Sequence, residues 1–147
     1  MRHLYYLGLG SNLGNGTENL HRAIELLNER AGVLVAASAF IESEPWGFES
    51  CHRFTNAVVA VASDFEPMQM LDVTQQIERD MGRTHKHKPG ESYTDRIIDI
   101  DLLEYDGESI DNERLTLPHP LIEERDFVRL PLAECKREVQ NINNTNK

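Results

Sequence analysis

The order of hydrophobic patterns along the chain predicts an α+β fold. It is the ferredoxin-like βαββαβ arrangement, an antiparallel sheet with helices packed on it, in a single domain. Three observations carry this. Stretches rich in β-branched, aromatic and small apolar residues at 3–9, 33–42, 54–62 and 97–105 read as strands. Two stretches with helical spacing separate the first strand from the second and the third from the fourth. A length of 147 residues suffices for one domain with a sizeable core.

The first strand ends in Gly8-Leu-Gly10 and a turn. Thr17 is the expected N-cap of the first helix, with Leu20, Ala23, Ile24 and Leu27 on its apolar face and Gly32 just past its end. Residues 43–53 have turn chemistry. Pro67 suits the first turn of a second helix, which buries Met70, Val73, Ile77 and Met81 and stops at Gly82. A long polar loop, 83–96, precedes the last strand, and Asp106-Gly107 marks the turn after it. Loops and a short helix are expected over 114–135. A polar, frayed tail at 141–147 is expected after a domain of 1–140.

A hydrophobic content of 39% with 27% charged residues fits a soluble globular chain, and no apolar run reaches membrane-spanning length. The N-terminal stretch is too short for a signal peptide. Cys51 and Cys135 form neither a metal-binding spacing nor a disulfide framework, so reduced thiols and a cytoplasmic location are expected. The net charge of −10 speaks against nucleic acid or an anionic membrane as the main partner. The charge is uneven, however. Arg83, Lys86, Lys88 and Arg96 outnumber Glu91 and Asp95 in the loop 83–96, which can steer a polyanion to one place.

Asp99 and Asp101, in Arg96-Ile-Ile-Asp-Ile-Asp-Leu-Leu103, are the most informative pair. At i and i+2 on a strand they share a face, roughly 6–7 Å apart at the backbone. Carboxylates that close repel unless a cation lies between them. Mg²⁺ takes one or two carboxylates and leaves its other positions to water and phosphate, so the segment suggests a metal–phosphate site.

Other positions admit two readings each. The glycines near residue 10 miss both dinucleotide and P-loop spacings and read as a tight turn with Asn12 capping. Trp46, Phe54 and Phe127 are either core aromatics or platforms for a flat ring. Asn56 satisfies backbone or reads a heterocycle edge. Gln75 and Glu78 share a helix face, ordinarily a polar surface. Arg83 and Arg96 bracket the long loop as a clamp for a polyphosphate would. His119, between two prolines, is a phosphate donor or a loop residue bonded to backbone.

Seven segments in order resemble one family, 6-hydroxymethyl-7,8-dihydropterin pyrophosphokinase, over about residues 5–134. They are Leu9-Gly-Ser-Asn-Leu-Gly14, Ser43-Glu-Pro-Trp-Gly47, Phe54-Thr-Asn-Ala57, Met81-Gly-Arg83, the aspartate strand, Leu117-Pro-His-Pro120 and Arg125-Asp-Phe127. The resemblance implies transfer of pyrophosphate from ATP to the pterin hydroxymethyl group, giving AMP, in folate biosynthesis. It implies two Mg²⁺ ions held by Asp99 and Asp101. Arg83 and Arg96 join these aspartates as catalytic residues on a lid. Ser43, Glu44, Trp46, Phe54, Asn56 and Phe127 match pterin-binding positions. Gln75, Glu78, Arg83, His85, Lys86, Arg96, Leu102, Arg114, Thr116, His119 and Arg125 match ATP-binding ones. His85 stands where many relatives carry arginine, and Asp95 where proline is common. Small-molecule substrates and a monomeric state are expected. The alternatives are a non-catalytic sensor module on the same fold, indifferent to Mg²⁺, and an oxidoreductase binding NAD(P)H.

Overall fold

The computed structural model describes residues 2–43, 54–82 and 97–145. Its elements run β1 (His3–Ser11), α1 (Gly16–Arg30), β2 (Val33–Ala37), β3 (Ile41–Ser43), β4 (Phe54–Ser63), α2 (Pro67–Asp80), β5 (Asp99–Tyr105), β6 (Ile110–Asp111), β7 (Thr116–Leu117) and α3 (Asp126–Thr145). The main sheet has the order β2-β4-β1-β5, all antiparallel, with β3 also paired to β4. Each βαβ unit thus encloses a strand of the other, as the ferredoxin-like topology requires.

The sheet is apolar on both faces, and each face is covered differently. Tyr5, Leu7, Leu9, Val59, Val61, Ile100 and Leu102 join Leu20, Leu27, Met70 and Ile77 in a core beneath α1 and α2. Val58, Ala60 and Leu103 face the other way, against Leu132, Cys135 and Val139 of α3. Burial pushes the Cys135 thiol up to about 12, so it behaves as a small apolar side chain. Helix α3 crosses β4, β2, β1 and β3. It meets β5 at the Leu103–Glu104 end, where Leu103 packs on its apolar stripe and Lys136 Nζ lies 2.7 Å from Glu104 Oε2, while Asp99 and Asp101 at the other end of the strand stay partly exposed.

Three expectations are corrected. Asn15, not Thr17, caps α1: its Oδ1 accepts from the Glu18 N–H at 3.1 Å. The strand expected over 33–42 is broken at Ser38. There the Ser38 hydroxyl accepts from Val58 N–H at 2.9 Å, and its own N–H donates to Val58 O at 2.8 Å, standing in for ladder bonds. The loops and short helix expected over 114–135 are a small β6–β7 hairpin followed by α3, a helix of 20 residues that includes 141–145 of the expected tail. Leu132, Cys135 and Val139 give α3 its buried stripe, which outweighs Pro131 inside it. The Asp106-Gly107 turn forms as expected, with φ 49° and 72°.

At the far end of the sheet His3 bridges two carboxylates. Nδ1 lies 2.7 Å from Asp106 Oδ2 and Nε2 lies 3.2 Å from Glu66 Oε1. Asp106 also accepts from Leu4 N–H at 2.6 Å, and Glu66 is the N-cap of α2. Hydrogen bonding to Asp106 raises the His3 pKa, partial burial opposes it, and Glu66 adds to the rise. A raised folded-state pKa means that this contribution to stability is complete below the ordinary value of 6.5 and is lost as pH climbs through the raised one. The gap in melting temperature between the unaltered protein and His3→Gln should therefore be larger near pH 6 than near about pH 8.5. A gap independent of pH would show that the latch does not act through protonation.

Candidate active site

The open part of the sheet is built from alternate residues of three strands. Strand β1 pairs Gly10 with both Asp99 of β5 and Asn56 of β4, and Gly8 with Asp101 and Val58. Two rows result, Asp99–Gly10–Asn56 and Asp101–Gly8–Val58. Asp99 and Asp101 lie on one face, partly exposed, while Ile100 and Leu102 turn into the core on the other. The predicted geometry of the pair is present. Between the aspartates and Asn56, β1 offers no side chain at all.

Asn56 is buried, and its Nδ2 donates to Ser43 Oγ at 2.8 Å. That bond fixes the amide, and Oδ1 lies over Gly10, 3.3 Å from where a Cβ would stand. The Phe54 ring borders the same space at 3.6 Å. Ser43, Phe54 and Asn56 are thus brought together at one end of the groove. They present an acceptor, a hydroxyl and an aromatic face.

At the other end, His119 N–H donates to Leu103 O at 2.9 Å and ties its loop to β5. Its Nδ1 accepts from Leu121 N–H at 3.2 Å, which leaves Nε2 as the proton-bearing nitrogen of the neutral ring. Burial lowers the His119 pKa, the Arg125 charge lowers it further, and Asp99 opposes both. His119, Arg125 and Asp99 therefore share one electrostatic neighbourhood. Phe127 follows in the first turn of α3, with the Arg125 Cζ 5.9 Å from its ring centroid. Arg114, in the β6–β7 hairpin, reaches Asp72 of α2 at 2.7 Å. This ion pair places Arg114 beside α2, and Gln75 is one turn along that helix from Asp72, while Thr116 lies in β7 with its hydroxyl 3.4 Å from Asp111 Oδ1.

Two residues expected among the nucleotide contacts have other surroundings. The Leu102 side chain is core, 3% exposed, because its place on β5 points it toward α2. Its main chain, by strand alternation from Ile100, faces the outer edge of β5. Glu78 is 1% exposed, and its Oε2 accepts from Ile100 N–H at 2.8 Å. The two oxygens of this carboxylate lie between α2 and the strand, not on a solvated helix surface. Glu44, Trp46, Arg83, His85, Lys86 and Arg96 lie outside the described residues.

The donor set fits Mg²⁺. Among the described residues no cluster of three or more His, Cys, Asp or Glu groups can hold a metal by itself. Two carboxylates from one strand, with the remaining positions left to water and phosphate oxygens, are what this hard cation takes in nucleotide sites. Sequence reading missed Gly8 and Gly10 as part of the site. Their i, i+2 spacing on β1 is the signal that finds them, since it matches the spacing of the aspartates on the neighbouring strand.

Fold and site together define a ferredoxin-like domain with a paired-carboxylate groove, a class suited to metal-assisted phosphoryl chemistry. The sequence profile of the family 7,8-dihydro-6-hydroxymethylpterin-pyrophosphokinase (HPPK) matches residues 6–137. A 2-amino-4-hydroxy-6-hydroxymethyldihydropteridine pyrophosphokinase of Porphyromonas gingivalis is 49% identical over 132 residues, 89% of each chain. The Bacillus subtilis protein of the same name is 38% identical over 141 residues, 95% of this chain and 82% of its own. Among solved structures, the Plasmodium falciparum HPPK-DHPS triple mutant superposes with a TM-score of 0.74 at 18% identity, over 91% of this chain and 40% of that one. The chain belongs to the 7,8-dihydro-6-hydroxymethylpterin-pyrophosphokinase family, and it is an enzyme of the pyrophosphokinase class.

Proposed function

We propose that the protein transfers the β,γ-pyrophosphoryl group of ATP to the hydroxymethyl oxygen of 6-hydroxymethyl-7,8-dihydropterin, with Mg²⁺, as a step of folate biosynthesis. The observation that carries this is the double row across the open sheet. It sets two same-face carboxylates on one side of a glycine floor and an oriented asparagine acceptor with an aromatic ring on the other. Names of relatives that specify a hydroxymethyldihydropteridine substrate support the same reading.

In this reading the pterin lies flat over Gly10, its polar edge donating to Asn56 Oδ1 near Ser43, with Phe54 and Phe127 on its faces. Glu44 and Trp46 complete that pocket. Gln75, Arg114, Thr116 and the main chain of Leu102 at the open edge of β5 receive the nucleoside. His119, through Nε2–H, and Arg125 donate to phosphate oxygens, and Arg83, His85, Lys86 and Arg96 close over them from the loop. Asp99 and Asp101 would hold magnesium, which would supply charge neutralisation for the triphosphate. Asp99 lies nearest the attacking hydroxyl. The hydroxymethyl oxygen forms a bond to the β-phosphorus as the bond from that phosphorus to the α-bridging oxygen breaks. The electron pair leaves with AMP and the hydroxyl proton is released. No protein nucleophile is required, because positioning and electrostatics supply most of the acceleration.

We also propose a monomer in the cytoplasm. Among the described residues the exposed large hydrophobics, Val33, Leu130 and Ile142, are scattered over two elements, and no helix is long and apolar enough to cross a membrane. The test is direct. Mg-ATP with the pterin should yield AMP and pterin diphosphate in equal amounts, and omitting either Mg²⁺ or the pterin should stop AMP formation. Absence of pterin-dependent AMP from folded protein, or release of ADP in its place, would reject the assignment.

A further inference from the structure

Among the described residues Glu78 is the one carboxylate or cation that is buried, at 1% exposure. Removing a carboxylate from water is costly unless it is bonded. Its bond is unusual in its address. Oε2 accepts, at 2.8 Å, the main-chain N–H of Ile100, the residue between Asp99 and Asp101. Strand β5 is the last in the sheet order, so its outer edge carries no strand ladder among the described residues, and the His119 N–H ties that edge at Leu103 O, three residues beyond Ile100. A strand edge without a ladder leaves its outward main-chain groups in need of other partners. Here helix α2 supplies the missing acceptor, and a charge-assisted bond is stronger than the ladder bond it replaces.

We infer that Glu78 is a positioning residue for the metal-binding strand. From α2 it clamps the open edge of β5 at Ile100 and so sets the spacing and tilt of Asp99 and Asp101. The inference rests on the reading that these aspartates hold magnesium, and it gives Glu78 a role that acts through the strand. It also joins the metal strand to the helix that carries Gln75 and Asp72, the latter paired with Arg114.

The test compares Glu78→Ala and Glu78→Gln in the full chain. Nucleotide binding is followed by calorimetry against Mg²⁺ concentration, and Ile100 amide exchange by NMR. In Glu78→Ala the half-saturating Mg²⁺ should rise about tenfold, the lower end of what loss of a ligand's supporting partner costs. Exchange at Ile100 should accelerate in parallel. Glu78→Gln keeps an acceptor at the same reach and should restore both to within about threefold of the unaltered protein. A folded Glu78→Ala with an unchanged Mg²⁺ requirement overturns the inference alone. Metal-independent nucleotide binding by the unaltered protein overturns the magnesium reading and this inference with it. Should Glu78→Ala fail to fold, the unaltered protein still decides: an Ile100 amide that exchanges like an exposed strand-edge amide overturns the clamp, and a protected one supports it.

Discussion

Asp101→Ala should reduce pterin-dependent AMP formation at least about a thousandfold, the upper range for loss of one preorganised electrostatic contact, while leaving the melting temperature within a few degrees. The two halves of this expectation come from opposite faces of one strand. Ile100 and Leu102, each nearly fully buried, anchor β5 in the core beneath α2, and the carboxylate of Asp101 is partly exposed on the other face. Truncating it removes a charge from the groove and no packing from the core. Asp101→Asn keeps an oxygen at the same reach without the charge, so it should retain more activity than alanine and recover further as Mg²⁺ is raised. Steady-state AMP release across a Mg²⁺ titration, with thermal melts of each variant, is the measurement. A folded alanine variant within tenfold of the unaltered rate would remove the metal role from this residue.

Much of this arrangement is written in residue order, and the parts that are not have physical reasons. The strand pattern and two helices are visible because each buries a periodic apolar face, and the topology follows from their sequence. The aspartate pair is visible because strand alternation converts i, i+2 into adjacency without any tertiary information. Asn56 is not decidable from its neighbours. Its role depends on Ser43, which β3 brings beside it across a register no local pattern encodes. Glu78 reads as surface because it is charged and lies near Gln75. Only the docking of α2 against the free edge of β5 turns it inward. Only loops and a short helix are expected over 114–135, with a polar tail from 141, whereas α3 runs through Pro131 to Thr145. A stripe of three residues packed on the sheet suffices to hold it, since tertiary burial outweighs propensity.

Two glycines, Gly32 before β2 and Gly10 in β1, separate what a fold tolerates from what a site tolerates. At Gly32 an added Cβ would stand 2.1 Å from the Ala62 carbonyl oxygen, a main-chain atom that cannot move aside alone. At Gly10 the same atom meets Asn56 Oδ1 at 3.3 Å and the Phe54 ring at 3.6 Å, side chains that can yield by a few tenths of an ångström. Gly10→Ala should therefore fold, and a side chain in a central strand partly compensates for the crowding. Its methyl group would nevertheless stand in the groove between Asp99 and Asn56, where the ring of the pterin is proposed to lie. A ligand lifted off the floor loses its reach to Asn56 and its alignment with the triphosphate. Misplacement on this scale costs about a hundredfold, and that loss is expected in kcat/KM for the pterin. The KM for ATP should stay within about twofold, because Gln75, Arg114 and the edge of β5 lie apart from Gly10. Varying each substrate in turn separates the two effects. A folded Gly10→Ala enzyme with unimpaired pterin kinetics would place the ring away from this floor and return the glycine to a purely structural role.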